Sequence, residues 1–118
     1  TDDVNDMTYT FDAEQVETSV EEMDEYQFAL RPASPNPFTS ATSIAYSVPT
    51  GGGRVEVTIY DVSGRAVRTL LDDLRPAGPG QIRWDGLDAT GRPVATGVYF
   101  ARLDIDGTTA SGKLMVLK

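Results

Sequence analysis

The side chains that most often carry out chemistry are scarce in this sequence. The 118-residue chain has no Cys and no His, which excludes disulfides, cysteine nucleophiles, the usual zinc ligands and the commonest general base. Two pairs of carboxylates near turns remain, Asp85 with Asp88 and Asp104 with Asp106. Such pairs can bind calcium or act as acid and base, but neither pair has EF-hand spacing. Asp is also common in turns because its side chain mimics the backbone. We therefore expect no catalytic residue, no metal site, no cofactor and no enzymatic activity.

Charge is distributed unevenly along the chain. The formal net charge is −8, yet residues 1–30 hold ten acidic side chains and no Lys or Arg, whereas residues 31–118 hold eight acidic and ten basic ones. An acidic tail repels nucleic acid and anionic lipid, and the arginines of the remainder are scattered, so neither is an expected partner. No apolar run is long enough for a membrane helix, so we also expect no membrane span.

The first 25 residues form the acidic part of the chain. Met7, Tyr9 and Phe11 alternate with polar residues, as in a half-buried strand. The residues from Asp12 onward have the spacing of a helix cap followed by an apolar stripe, although acidic side chains would crowd the C-terminal end of that helix. We interpret residues 1–25 as an acidic linker or tail, and a single strand or a short helix within it both stay open.

From residue 26 the pattern changes to short apolar alternations separated by Gly, Pro, Asp and Asn, which is typical of a β-sandwich. The expected strands span residues 26–30, 42–48, 55–59, 66–71, 82–84, 98–105 and 112–117. We therefore predict an all-β fold for residues 26–118, a seven-stranded immunoglobulin-like antiparallel sandwich that follows the acidic N-terminal tail. Trp84 is the best candidate for the centre of the core.

The predicted turns are rich in Gly and Asp. Residues 61–65 indicate a tight hairpin, since Gly64 can adopt the positive φ that such turns need, and Arg65 is placed to pair with Asp61. Residues 88–92 indicate a second turn with a glycine, and residues 106–107 indicate the last one. A loop rich in Pro and Gly is expected over residues 75–80.

Specific segments carry more information than the periodicity does. In chain order they are Phe28-Ala29-Leu30, Ser34-Pro35-Asn36-Pro37-Phe38, Ile59-Tyr60-Asp61-Val62-Ser63-Gly64-Arg65, Trp84-Asp85-Gly86, Gly97-Val98-Tyr99 and Gly112-Lys113-Leu114-Met115-Val116-Leu117-Lys118. Their order and spacing over residues 26–118 resemble the type A sorting domain of bacterial type IX secretion. They are also similar to the related immunoglobulin-like domain of the flagellar hook-capping protein.

The resemblance implies a history for the chain. In that family a passenger reaches the periplasm by its N-terminal signal, the sorting domain is recognised by the outer-membrane translocon, and a sortase-like peptidase removes the domain while joining the passenger to a surface lipopolysaccharide. It implies that this protein is secreted or bound to the cell surface, and that cleavage falls within residues 18–34. Because the chain begins with Thr1, we expect it to derive from a longer precursor.

The candidate recognition residues come from these segments, and each has a purely structural alternative. In residues 35–38 the prolines lack the N–H groups that would bond within a sheet, and Phe38 can plug the end of the sandwich. This structural explanation and direct contact with a receptor are equally favoured. Turn chemistry is favoured for Gly64 and Arg65, and a core position for Tyr99. The last strand, on which Lys113 and Lys118 are solvated, is expected to be an edge that invites a partner. The candidates are Pro35, Asn36, Pro37, Phe38, Gly64, Arg65, Gly97, Tyr99, Lys113 and Lys118.

Two other functions stay open. The first is a permanent structural or adhesive surface module, in which residues 7–11 donate a strand to a neighbouring molecule and the protein forms a homo-oligomer. The second is a carbohydrate-binding module, for which Tyr60 and Phe100 are the aromatic side chains that alternation directs outward.

Overall fold

The computed structural model describes residues 26–118, and they form an all-β fold. Seven strands follow one another within these residues, which confirms the predicted fold class. They are β1 (Ala29–Leu30), β2 (Thr42–Val48), β3 (Gly53–Asp61), β4 (Ala66–Arg75), β5 (Gly78–Trp84), β6 (Gly97–Ile105) and β7 (Thr108–Val116). No helix of the described residues is long and apolar enough to cross a membrane.

The strands form two antiparallel sheets that face each other. One sheet has the order β1-β2-β5 and the other has the order β4-β3-β6-β7. Burial alternates along β2 and over most of β6, because successive side chains of a strand point to opposite faces. The apolar sides of the two sheets therefore meet in a single core.

Trp84 lies at the centre of that core, as predicted. Its side chain is 0% exposed, and its ring contacts Phe38 and Tyr99 edge to face, with centroid distances of 5.5 and 5.6 Å. The indole N–H donates a 2.9 Å hydrogen bond to the carbonyl of Leu87. The one polar atom of the indole is thus paired, which makes its complete burial tolerable.

Several strand bounds differ from the predicted ones. The first strand contains only Ala29–Leu30, since Tyr26 pairs with Thr50 beyond the end of β2. Conversely, β4 continues to Arg75 and β7 begins at Thr108. These extensions consist mainly of polar residues that pair with a neighbouring strand while facing solvent, so they lack the apolar alternation by which a strand is recognised.

The predicted loop over residues 75–80 is wrong in its second half, because Gly78–Trp84 form β5. Gly80 pairs with Tyr46 of β2, and the ring of Tyr46 lies directly against the position that a Cβ of Gly80 would take. Glycine at this position makes room for a neighbouring aromatic ring, a requirement that sequence alone does not distinguish from a turn.

Candidate recognition surface

The loop of residues 35–38 lies along the outer edge of β7 and is bonded to it. The side-chain amide of Asn36 donates to the carbonyl of Lys113 at 2.9 Å, and its oxygen accepts the N–H of Met115 at 2.9 Å. The N–H of Phe38 then donates to the carbonyl of Met115 at 3.0 Å, and the N–H of Leu117 donates to the carbonyl of Phe38 at 2.9 Å. Asn36 and Phe38 together act as a short extra strand beside the last part of β7.

The prolines and Phe38 of this loop lie in different environments. The peptide bonds that precede Pro35 and Pro37 are both cis, and both prolines are exposed. Phe38 is 2% exposed and contacts Trp84, so it plugs one end of the sandwich. The buried hydroxyl of Thr42 donates to the carbonyl of Pro35 at 2.7 Å. Receptor contact therefore stays a prediction for the exposed residues of the loop. The buried Phe38 anchors these residues to the core.

The expectation that the last strand is an edge is confirmed, since β7 is the outermost strand of its sheet. However, the Asn36 and Phe38 bonds occupy its outward-facing groups at Lys113, Met115 and Leu117. Covering an edge with a loop is a common protection against unwanted pairing. Only the first part of β7, from Thr108 to Gly112, lacks such a cover among the described residues.

The turn over residues 61–65 is organised by one carboxylate oxygen. Oδ1 of Asp61 accepts the N–H and the hydroxyl of Ser63, at 2.9 and 2.6 Å, and the N–H of Arg65 at 3.0 Å. Gly64 has a φ of 88°, as the predicted turn requires. The expected ion pair is present, with Nε of Arg65 3.3 Å from Oδ2 of Asp61. Arg65 is well exposed, so this pair contributes little to stability.

The turn over residues 88–92 repeats the same arrangement. Oδ1 of Asp88 accepts the N–H and the hydroxyl of Thr90, at 2.9 and 2.7 Å, and the N–H of Arg92 at 3.0 Å. Gly91 again has a φ of 88°. Both turns have the sequence pattern Asp-x-Ser/Thr-Gly-Arg. The sequence analysis predicts each turn separately, and the structure shows that the two have the same hydrogen bonds.

These hydrogen bonds determine the acidity of the two carboxyl groups. The hydroxyl of Ser63, followed by the N–H of Arg65, holds the pKa of Asp61 below its ordinary value of 3.8. The hydroxyl of Thr90 and the N–H of Arg92 lower the pKa of Asp88 in the same way. A hydrogen bond to a carboxylate favours its charged form. Both carboxylates are therefore weak proton acceptors, and their hydrogen bonds stabilise the turns.

A cleft of about 470 Å³ separates the two turns, and both carboxylates line it. Tyr99 lies at its base, 8% exposed, and donates its hydroxyl proton to the carbonyl of Ala95 at 2.7 Å. Burial, and then the charge of Asp61, raise the pKa of the Tyr99 hydroxyl. Tyr99 is thus a core residue, as predicted, and residues of the two turns form the exposed walls of the cleft.

The other acidic side chains singled out in the sequence are engaged in local structure. Oδ1 of Asp85 accepts a 2.9 Å bond from the guanidinium of Arg68. Asp104 accepts the N–H of Gly107 at 3.0 Å. Asp106 accepts the N–H of Arg54, near the start of β3, at a longer 3.3 Å. Within residues 26–118 no three acidic side chains are grouped as a metal ion would need.

The sandwich brings most of the candidate residues to one end. Gly97 pairs with Val116 at the end of β7, and the N–H of Lys118 donates to the hydroxyl of Thr96 at 2.9 Å. Asp61 pairs with Tyr99 between β3 and β6, which places the turn of Gly64 and Arg65 at this end too. We call the exposed part around the loop and the end of β7 the Asn36 surface; it consists of Pro35, Asn36, Pro37, Lys113 and Lys118.

The aromatic pair proposed for carbohydrate binding lies elsewhere. Tyr60 and Phe100 are direct partners on β3 and β6, and both are only partly exposed. A glycan platform needs an exposed aromatic face, and this pair offers a limited one.

The fold and its motifs agree with a known family over more than half of the chain. Residues 36–104 match the FlgD Ig-like domain. The chain belongs to this family. The matched region begins at Asn36 and contains both copies of the Asp-x-Ser/Thr-Gly-Arg turn, so the twin turns lie inside the family domain. No curated protein sequence matches the chain.

Solved structures share the fold of this family member. FlgD from Xanthomonas campestris, described as a hook-capping protein essential for flagellar assembly, is 26% identical, with a TM-score of 0.53 over 78% of this chain and 67% of that one. PorU from Porphyromonas gingivalis, solved in a dimeric, latent form, is 22% identical, with a TM-score of 0.56 over 78% of this chain. PorZ from the same organism, a surface component of the type IX secretion system, is 21% identical, with a TM-score of 0.53 over 85% of this chain. The chain spans only 9% of PorU and 12% of PorZ.

Proposed function

We propose that this protein is a sorting domain for type IX secretion, which the translocon recognises through the Asn36 surface. The observation that carries the proposal is the bonding of Asn36 to Lys113 and Met115. Two segments that resemble the sorting family and lie far apart in the sequence are thereby joined into one surface. The likeness to parts of PorU and PorZ supports the fold that the proposal needs.

The proposed surface has a defined chemistry. Lys113 and Lys118 are exposed at the edge of the last strand, and the exposed rings of Pro35 and Pro37 lie on the loop beside it. A partner would meet cationic groups next to rigid apolar rings, whose ordering costs little conformational entropy. We propose that the partner is a translocon protein with an acidic, partly apolar surface, and that the domain itself has no catalytic role.

The same proposal places the peptidase cut in the tail. A protease needs an extended and accessible segment. Tyr26 bonds to Thr50 just after β2. Ala29 pairs with Ser47 and Ser34 pairs with Ser43, so the chain is held along β2 from residue 26 to residue 34. We therefore narrow the expected cleavage region from residues 18–34 to residues 18–25. The protein would reach the cell surface or the medium by way of the periplasm.

A fusion experiment tests the proposal. Residues 26–118 would be joined to an inert reporter that carries a signal peptide, in a bacterium with a functional type IX system. We expect the reporter outside the cell, and we expect Lys113→Glu with Lys118→Glu to retain it in the periplasm. The matched control replaces Arg54 and Arg75 by Glu, because both are exposed and lie at the opposite end of β3 from the turn at Gly64. A wild-type fusion that stays in the periplasm contradicts the proposal, and equal export of both charge variants contradicts the surface.

A permanent structural module is the second candidate, and membership of the FlgD Ig-like domain family favours it. The two candidates differ in the fate of the domain. In the sorting function the mature passenger lacks the domain, whereas a structural module keeps it. Mass spectrometry of the mature surface protein distinguishes them, because peptides from residues 26–118 are expected only for the structural module.

A further inference from the structure

The open first part of β7 has backbone groups without a described partner. At Met115 both the N–H and the carbonyl point away from β6, because they bond to Asn36 and Phe38. Residues two apart in a strand point the same way, so the N–H and carbonyl groups of Thr109 and Ser111 also point outward. None of these four groups bonds to another residue within 26–118. They form a short edge at which one more strand can pair.

An apolar groove lies directly beside this edge. It has a volume of about 270 Å³ and opens between β1 of one sheet and β7 of the other. The groove exists because the facing ladder partners Ala101 and Gly112 have small side chains or none. Leu30, Ile44 and Leu114 supply its apolar walls. A cavity of this kind can receive an apolar side chain from a strand that pairs with the edge.

The rim of the groove is positively charged. Arg31 and Lys113 line it, and no acidic side chain from residues 26–118 does. A segment that enters the groove is therefore favoured when its ends are acidic and its middle is apolar.

Residues 7–11 of the same chain have this composition. Met7, Tyr9 and Phe11 alternate with threonines, and Asp6 and Asp12 flank the segment. The alternation would direct three apolar side chains to one face, as a strand over an apolar groove requires.

Residues 12–25, the tether that joins this segment to the sandwich, lead into the end of the sandwich at which β7 begins. Tyr26 bonds to Thr50 just after β2, and Arg54 at the start of β3 bonds to Asp106 in the turn that precedes β7. The chain therefore enters the fold at the end where the open part of β7 begins. The residues between Phe11 and Tyr26 could span up to about 50 Å when extended, which exceeds the length of β7.

We propose that residues 7–11 pair with the open edge of β7 in the same molecule and place an aromatic side chain in the groove. The tether gives the segment a high effective concentration at its own edge, which favours this arrangement over exchange between molecules. The inference is independent of the sorting function, since it concerns the intact chain and is measured without the translocon.

Amide hydrogen exchange of the full chain tests the proposal. We expect the amides of Thr109 and Ser111 to be protected. Replacing Met7, Tyr9 and Phe11 by Ser should speed their exchange by about tenfold or more, because their bonding partners are lost. The amides of Ala110 and Gly112, which face β6, should remain protected in both proteins. In the matched control, Val16, Val20 and Met23 are replaced by Ser, which removes as many apolar side chains from another part of the tail and should change nothing.

A variant of the groove tests the other side of the contact. In Gly112→Val the new side chain fills the groove, and an added Cβ would lie an acceptable 3.6 Å from Leu30. We expect faster exchange at Ser111 with the sandwich intact, whereas Thr109→Val, on the solvent face, should leave the exchange at Ser111 unchanged. Unprotected amides in the unmodified chain would overturn the proposal. So would protection that appears only as dimers form in light scattering, because the donor would then be a second copy.

Discussion

Asn36 and Met115 lie 79 positions apart in the sequence, yet the N–H of Met115 donates a 2.9 Å hydrogen bond to the side-chain oxygen of Asn36. With its amide bonded to Lys113, Asn36 pairs with β7 as the backbone of a neighbouring strand would. A single side chain thus protects part of an edge from other partners. Together with the backbone bonds of Phe38, this side chain holds the loop on the last strand.

Replacing Asn36 by Ala should destabilise the sandwich by about 1 kcal/mol, since two solvent-exposed hydrogen bonds are lost and water replaces them in part. Urea unfolding followed by fluorescence measures the change. Ser40→Ala is the control, because Ser40 is exposed and close in sequence. Equal stability of the two variants would show that the Asn36 bonds contribute nothing.

Replacing Trp84 by Phe should cost about 2 kcal/mol, because it leaves unfilled volume in the core and deprives the carbonyl of Leu87 of its donor. Tyr99→Phe is the comparison, as it removes only the hydroxyl that bonds to Ala95. Calorimetry should give a lower Tm for the Trp84 variant than for the Tyr99 variant. The reverse order would contradict the central position of Trp84.

Gly80→Ala should destabilise the fold by about 1–3 kcal/mol, since the new methyl group would overlap the ring of Tyr46. In a Tyr46→Leu background the same substitution should cost less, and the difference between the two backgrounds measures the contact. Gln81→Ala is the control, because Gln81 lies on the same strand and its side chain is exposed. Equal costs in both backgrounds would place the effect in the backbone.

The twin turns should make part of the stability depend on acid. Asp61 and Asp88 have a folded-state pKa below the ordinary value of 3.8, so the stabilisation by their charged forms is complete above that pH. It is lost as the pH falls through the lowered values. Asp61→Asn with Asp88→Asn keeps an acceptor oxygen in each turn but removes the charge.

Thermal unfolding over a pH series checks this dependence. We expect the double variant to be less stable than the unmodified protein near neutral pH, and the difference to shrink in acid below the ordinary carboxyl pKa. Ser63→Ala with Thr90→Ala removes the hydroxyl donors, so this variant should also lose less stability on acidification than the unmodified protein does. A difference in Tm that stays constant over the whole series would contradict the role of the charged forms.

Much of the fold could be predicted from local patterns. The bounds of β2, the turn at Gly64 and the burial of Trp84 follow from alternation, from the φ that glycine allows and from the size of the indole. The candidate surface was harder to predict, because a short polar loop shows no periodicity. Proline spacing drew attention to residues 35–38, but no local signal indicates that Asn36 bonds to Lys113 and Met115.

The sequence by itself determined the fold class, the turns and the separation of an acidic tail from a nearly neutral body. These depend on short-range rules: the period of a strand, the conformational freedom of Gly64 and the charges of consecutive residues. Only the tertiary structure decided that Tyr46 occupies the space above Gly80, that the last strand is half covered, and that the groove beside Gly112 is open. The reason is that each of these features depends on contact between strands or loops distant in the chain, and the relative position of such elements is set by packing of the whole core.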